Sequence, residues 1–259
     1  MSPFLETEAP VAPRARDAGG GASVRRVSAA EGYKLWAPAY DRDPNPLLAL
    51  EERQLTPLLP DLKQKAVIDV ACGTGRWLEK LMDRGARSGF GVDLSRAMLA
   101  VARTKTRLAG RLVQGDGLRL PFKAGAADLV VCSLALGHLP DLAALARELA
   151  RLSRLEADLY VTDLHPATRA KGWSTGFRHK GEAIEVATFL HPVEKVREAF
   201  ARTGFEVAQL IEAPFGEPER SIFAETGKAH LFDDACRVPA VLICHFKRVD
   251  AGIMPYNAD

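Results

Sequence analysis

Between residues 66 and 162, short apolar runs alternate with amphipathic stretches in a regular beat. Residues 66–71, 89–92, 111–113, 128–132 and 158–162 have the length and composition of buried parallel strands. The stretches between most of them carry helical spacing. Residues 75–84 put Leu78, Leu81 and Met82 on one face and stop at Gly85, a plausible C-terminal cap. Ser95 is placed to cap a helix that turns Met98, Leu99 and Ala102 inward, and Asp141 to cap one carrying Leu142, Leu145, Leu149 and Leu152. Strand and helix in repetition predict a doubly wound α/β sheet with right-handed crossovers.

The flanks read differently. Residues 1–28 hold few bulky apolar side chains and include Gly19-Gly20-Gly21, the pattern of a mobile tail, so order is expected to begin near Tyr33. A first helix is predicted over 46–59, where Leu47, Leu48, Leu50, Leu55, Leu58 and Leu59 recur at helical spacing. Residues 165–190 show no clear period. Pro192 then opens a helix with Val193, Val196 and Phe200 inward, ending at Gly204. Late strands are expected at 205–211 and 240–246, and the gap between them, 212–239, is too long for a hairpin turn.

Composition narrows the class of protein. The chain has 259 residues, 47% hydrophobic and 26% charged, with 35 Lys+Arg against 33 Asp+Glu and a formal net charge of +2. That length suits one large domain, or one and a half. The charge balance gives no global reason to expect nucleic acid or an anionic membrane. Mean hydropathy of −0.07 suits a soluble globule, and no apolar run approaches the roughly 20 residues of a membrane helix. The first residues lack the apolar stretch of a signal peptide. Cys72, Cys132, Cys236 and Cys244 show no metal-ligand spacing, and two of them sit in apolar strand-like runs, as reduced buried thiols do. A cytoplasmic location is the expectation.

The sharpest local signal is Val67-Ile68-Asp69-Val70-Ala71-Cys72-Gly73-Thr74-Gly75, a buried strand running into a glycine turn and then a helix. Gly73 and Gly75 allow backbone dihedrals and a close approach that a side chain would forbid. Ligands of open α/β sheets bind at the carboxyl ends of the strands, where this turn belongs. The dinucleotide fingerprint is only partly met, since its third glycine would fall at Leu78, and no Gly-Lys-Ser/Thr phosphate loop follows. Asp93, closing Gly91-Val92-Asp93, lies near the roughly 20-residue offset of a carboxylate that grips ribose hydroxyls. Gln114-Gly115-Asp116-Gly117 closes the third strand. Any one of these acids alone reads more simply as a turn or cap; three in order at strand ends read as a ligand site.

These pieces, together with Trp36-Ala37-Pro38-Ala39-Tyr40-Asp41, Met98-Leu99, Leu120-Pro121-Phe122 and Asp128-Leu129-Val130-Val131, resemble class I S-adenosylmethionine-dependent methyltransferases. The resemblance runs from about Tyr33 to Phe246, toward the branch of quinone-biosynthesis and malonyl-carrier-protein methyltransferases. It implies a Rossmann-like, seven-stranded sheet, mostly parallel with the last strand antiparallel, an N-terminal helical cap and a lid insertion after strand five. The corresponding segments are a tail at 1–28, a methyltransferase domain at 29–250 and a tail at 251–259. Within the domain the cap is 29–62, the cofactor core 63–163, the lid 164–190 and the rest of the sheet 191–250. The resemblance also implies S-adenosylmethionine as cofactor. Asp69, Ala71, Gly73 and Gly75 would surround its methionine part, Asp93 its ribose, and Leu94, Asp116 and Gly117 its adenine. Ser133 would touch it through the backbone, and Tyr33 and Tyr40 would close over it. One departure stands out: the glycine pair usual before strand five is replaced by residues 151–157, Arg-Leu-Ser-Arg-Leu-Glu-Ala.

The acceptor is less legible. A sulfonium methyl is already electrophilic, so alignment supplies most of the catalysis and a base need only remove one proton. His138, after strand four, is the first candidate base, with a plain structural reading as a wall or cap residue beside it, and His165, after strand five, is the rival. The basic and aromatic loop after His165 offers Trp173, Arg178 and His179 to an anionic, partly planar acceptor. The expected partner is therefore a small-molecule acceptor methylated on oxygen or carbon. No membrane and no metal are expected, and the Ser133-Leu134-Ala135-Leu136 segment lacks the motif of base amino-methyltransferases, which argues against nucleic acid. An RNA or protein methyltransferase with a partner subunit, and a non-catalytic sensor of the cofactor, are the alternatives. The 212–239 insertion would serve as pocket wall or as the contact of a homo-oligomer.

Overall fold

The computed structural model describes residues 24–250. Strands β2 (Ala66–Val70), β3 (Ser88–Asp93), β4 (Leu112–Gln114), β5 (Ala127–Cys132), β6 (Ser153–Leu164), β9 (Phe205–Ala213) and β10 (Val241–Arg248) form a seven-stranded sheet in the order β4-β3-β2-β5-β6-β10-β9. Strand β10 runs antiparallel to both β6 and β9, and the other pairings of the sheet are parallel. The strand order reverses at β2, which pairs with β3 on one side and β5 on the other. That reversal opens the crevice in which such sheets hold ligands.

Alternation along the strands divides the core into two layers. Ile68 and Val130 face one side, against Leu145 and Leu149 of helix α5 (Leu142–Leu152) and Phe200 of α7 (Val193–Ala201). Val67 and Leu129 face the other, against Leu50 and Leu55 of α2 (Pro46–Leu55) and Leu78 and Leu81 of α3 (Arg76–Asp83). The remaining crossover helix is α4 (Arg96–Ala102). The expected caps hold: Ser95 Oγ accepts from Met98 N–H at 3.3 Å and Asp141 Oδ1 from Ala144 N–H at 2.8 Å. No helix among the described residues is long and apolar enough to cross a membrane.

Three expectations need correction. The tail predicted over 1–28 extends too far: Val24–Val27 is strand β1, paired in parallel with β8 (Glu182–Val186), which pairs antiparallel with β7 (Gly176–His179). The rest of that predicted tail, like 251–259, lies outside the described residues. The first helix is not at Pro46 but at Ala29–Trp36 (α1), whose N-cap Ser28 accepts from Glu31 N–H. Gly32 brings α1 against β8, where a Cβ would sit 2.6 Å from Val186. Residues 176–186, within the stretch that shows no clear period, are regular after all. They are a hairpin completing a small three-stranded sheet, and Phe177 stacks on Trp36 at 4.7 Å.

The missing glycine pair before strand five has a structural answer. Helix α5 passes straight into β6, with Ser153 as both C-cap and first strand residue. Glu156 takes the left-handed backbone (φ 62°), and the pairing of β5 with β6 shifts register between Ala127 and Leu129. An irregular strand absorbs the turn that glycines would otherwise make.

The 212–239 insertion holds two short helices, α8 (Arg220–Glu225) and α9 (Phe232–Ala235). Their Phe223 and Phe232 join the apolar layer beside α2. Helix α6 (Pro166–Ala170) lies between β6 and β7.

Candidate active site

The chain leaves β2 through an unusual backbone path. Ala71 (φ 55°), Gly73 (54°) and Gly75 (79°) are all left-handed, and so is Leu134 (51°) beyond β5. For Ala71 and Leu134 that conformation costs on the order of 1–2 kcal/mol each. The turn is pinned from the next strand. Asp93 Oδ2 accepts the Gly73 N–H at 2.8 Å, while its Oδ1 accepts the Ser95 N–H at 2.7 Å. Asp69 acts from inside: its Oδ2 accepts the Leu78 N–H at 2.9 Å, capping α3, whose N-cap Gly75 has no side chain to do so.

Above these strand ends lies a cavity of about 630 Å³. The predicted residues Tyr33, Tyr40, Ala71, Gly73, Asp93, Leu94, Asp116, Gly117, Ser133 and His138 all line it. A side chamber of about 40 Å³ shares Tyr40, Ala71, Gly73 and Ser133 with it and adds Asp69, Thr74 and Arg76. Asp69 therefore meets the chamber and not the main cavity. Gly75 lines neither, because its role is packing: a Cβ there would run into Leu108.

Burial sets the protonation of this site. It pushes the Asp69 carboxyl from 3.8 up to about 7, against the Leu78 N–H and the nearby Arg76 charge, which lower it. Burial also raises Asp93, opposed by the Ser95 and Gly73 N–H groups. The Tyr40 phenol is pushed up to about 12, and the Tyr33 phenol well above its usual 10. Burial, helped by the Arg169 charge, pulls His138 down from 6.5 to about 4. His138 is thus a neutral ring at ordinary pH. Its Nε2 lies 2.7 Å from the Tyr33 hydroxyl, and its buried Nδ1 makes no hydrogen bond.

Comparison with known proteins agrees with this geometry. Residues 68–161 match a methyltransferase domain family. That match runs from β2 to β6, and over it the chain is similar to the S-adenosylmethionine-dependent methyltransferases. It is similar to demethylmenaquinone methyltransferase of Bacillus licheniformis, 34% identical over 94 residues, 35% of this chain and 40% of that one. It is also similar to nocamycin O-methyltransferase of Saccharothrix syringae, 28% identical over 173 residues, 64% of this chain and 59% of that one. The aligned segments thus span less than two thirds of these relatives. Among solved structures, an S-adenosylmethionine-dependent methyltransferase from Mesorhizobium loti superposes with a TM-score of 0.62 at 22% identity, covering 76% of this chain and 97% of that one.

The cavity suits S-adenosylmethionine. A half-buried carboxylate, Asp93, lines it, Leu94 and Met98 supply apolar wall, and the side chamber is polar. An adenosyl group needs the first two and an amino-acid head needs the third.

Two residues of the site have no counterpart among the expected ones. Glu51 of α2 is fully buried. It accepts from Trp77 Nε1 (3.1 Å), Ser133 Oγ (2.6 Å) and Thr162 Oγ1 (2.7 Å), and it pairs with Arg76. The available signal was an acid between Leu47 and Leu55 at helical spacing, on a face that should be apolar. Arg76, the first residue of α3, follows Gly75 directly, and nothing local shows where its guanidinium goes.

Several predicted residues are not brought to the cavity. His165 is the N-cap of α6: Pro166 starts the helix, so His165 Nδ1 accepts the Ala167 N–H at 3.1 Å, and Nε2 pairs with Glu212 at 2.8 Å. Both ring nitrogens are thereby engaged away from the cavity. Trp173 packs on Phe215 and Phe223 at 5.8 and 5.9 Å, inside the apolar layer. The hairpin alternation that turns Phe177 inward turns Arg178 outward, where it is exposed and bonded to the Gly181 carbonyl at 3.2 Å. His179 ends β7, paired with Glu182. The basic loop is a solvated hairpin edge, and the 212–239 insertion packs on α2 instead of walling the cavity. Among the described residues, no three His, Cys, Asp or Glu side chains converge on a metal-holding arrangement.

Proposed function

We propose that this chain transfers a methyl group from S-adenosylmethionine to an oxygen or carbon of a small, largely apolar acceptor. The observation that carries this reading is the cavity itself. Its one end is ordered by Asp93 and the Gly73 turn, and its other end is apolar, with Ala29, Ala30, Leu134, Ala135 and Leu139 around the Tyr33–His138 pair. The nocamycin and demethylmenaquinone relatives bear names that fit small-molecule acceptors.

The bound cofactor supplies an electrophilic sulfonium methyl. The chain's own part is alignment and exclusion of water. Asp93 holds the glycine turn and keeps lone pairs for ribose hydroxyls. Tyr40 and Tyr33 cover the cavity from α1 and the turn after it. The neutral His138 ring is a weak base, so its part is to fix the Tyr33 hydroxyl: with the ring proton on Nε2 it donates to the hydroxyl oxygen, which leaves the hydroxyl proton to be donated to an acceptor oxygen.

Calorimetry with S-adenosylhomocysteine tests the cofactor half, and absence of binding overturns it. For the acceptor half, the protein is incubated with methyl-labelled cofactor in cell extract, and the extract is then fractionated. Label in the small-molecule fraction is the expected result. Label that is lost to RNase, or that travels with protein, overturns this half of the reading.

A further inference from the structure

The acceptor end of the cavity offers donors and no base. His138 stays a neutral ring, and with its proton on Nε2 the Tyr33 hydroxyl, 2.7 Å away, has its own proton left to give. Burial, Tyr40, Asp163 and Asp93 raise that hydroxyl's pKa and Arg169 opposes them, so it remains a protonated donor. The next residue of α1, Lys34, is exposed and lines the same cavity. It makes no hydrogen bond or ion pair among the described residues.

The other charged side chains of the lining are engaged. Asp93 holds the Gly73 and Ser95 N–H groups, Asp116 Oδ1 accepts the Leu118 N–H at 2.9 Å, and Arg96 Nε donates to Gln114 Oε1 at 2.8 Å. Behind the wall, Arg169 of α6 and Asp163 of β6 flank Gly137, the residue before His138. A Cβ on that glycine would lie 2.7 Å from Arg169 NH2 and 3.2 Å from Asp163 Oδ2. Neither lines the cavity; Arg169 bonds Thr188 and Asp163 Oδ1 accepts the Leu164 N–H at 2.8 Å. A neutral phenol or alcohol would have to lose its proton as the new bond forms, and no lining group among the described residues is placed to take it. An oxygen that is already ionised needs no base. It also matches what this end provides: one hydroxyl donor, one unpaired ammonium, and apolar wall from Ala29, Ala30 and Leu139.

We propose that the acceptor binds as an oxyanion, the ionised form of an acidic phenol or enol, with the Tyr33 hydroxyl donating to its oxygen and the Lys34 ammonium balancing its charge. This rests on the methyl-transfer reading above. The acceptor's proton goes to water when it ionises, before binding. In the transfer, an electron pair of the oxygen, or of the conjugated carbon of an enolate, forms the bond to the methyl carbon. The carbon–sulfur bond breaks and sulfur keeps its pair. Anion and sulfonium become a neutral methylated product and a neutral thioether, and no proton moves in that step.

Full-length protein saturated with S-adenosylhomocysteine is titrated with 4-nitrophenol, whose phenolate absorption reports ionisation, and with nitrobenzene as its neutral counterpart. The bound phenol should ionise about one pH unit below the free one, a preference of about tenfold for the anion. Phenolate affinity should fall about five- to tenfold in Tyr33→Phe and in Lys34→Met, with nitrobenzene affinity held within about twofold. Lys34→Arg should keep the phenolate. Binding of S-adenosylhomocysteine by each variant shows that the cavity is still folded. An ionisation that is unshifted or shifted upward, equal losses for both probes, or binding of neither probe by the saturated protein overturns the proposal. Wild-type protein that fails to bind S-adenosylhomocysteine overturns the methyl-transfer reading instead.

Discussion

Asp93 and Gly73 are joined by a 2.8 Å hydrogen bond from the glycine N–H to a carboxylate at the end of the neighbouring strand. The glycine turn and the acid that closes β3 are therefore one mechanical unit. With Oδ1 taken by Ser95, the carboxylate is oriented before any ligand arrives. Asp93→Ala should lose both the ligand contact and the pin on the turn, weakening S-adenosylhomocysteine by at least about 100-fold. Asp93→Asn keeps an acceptor for one N–H and should lose less. Calorimetry on the two variants reads the difference; affinities equal to that of wild type would remove Asp93 from the site.

Asp69 makes stability depend on pH in an unusual direction. Its carboxyl is raised from 3.8 to about 7 by burial. The folded state therefore holds a proton between about pH 4 and 7 that the unfolded chain has released. Stability from this group is lost as pH rises through that window, by at most about 4 kcal/mol. Asp69→Asn retains an oxygen for the Leu78 N–H and removes the titration. Denaturant unfolding at pH 5 and pH 8 should show the variant gaining on wild type at the higher pH. A constant difference between the two proteins would refute the assignment.

His138 contributes with the opposite sign. Its pKa falls from 6.5 to about 4 on folding, so the folded state binds fewer protons in that interval and loses stability as pH drops through it. Nitrogen NMR of the imidazole should show a single neutral form from pH 5.5 to 8, and a midpoint near 6.5 would sink the prediction. Tyr33→Phe removes the hydroxyl bonded to Nε2. It should leave S-adenosylhomocysteine affinity within about twofold and lower kcat/KM about tenfold, the size of one neutral hydrogen bond.

What could be read from the sequence was whatever is encoded locally. Ser95 and Asp141 cap helices through N–H groups three residues on, and the glycine turn follows its strand directly. The alternating apolar runs named the seven strands because each buried strand carries its own pattern. Glu51 escaped because its partners lie 25 to 111 residues away, and only the closed sheet brings them together. Arg178 and Trp173 misled for a related reason. A cluster of basic and aromatic residues was read as one surface, whereas hairpin alternation and the pull of Phe215 and Phe223 separate its members. For His165 the signal of a cap, the following Pro166, is local to the sequence.

The insertion after β9 is held to α2 by a long-range ion pair whose loss should be felt locally. Glu219 is buried, and Arg53 donates to it through Nε at 2.8 Å and NH2 at 3.0 Å, while the Gly216 N–H bonds the same carboxylate at 2.9 Å. Arg53→Ala leaves that carboxylate buried with only the backbone N–H. Removing one partner of a buried pair costs roughly 3–5 kcal/mol, and the lower end applies because Arg53 is partly exposed. Helices α8 and α9 contact the core mainly through Phe223 and Phe232, so the loss should open this segment before the sheet unfolds. Limited proteolysis should then cut Arg53→Ala between residues 214 and 239 under conditions that spare wild type. S-adenosylhomocysteine affinity should stay unchanged, since neither residue lines the cavity or its side chamber. Cleavage elsewhere first, or a matching loss of affinity, would show that the insertion is coupled to the site after all.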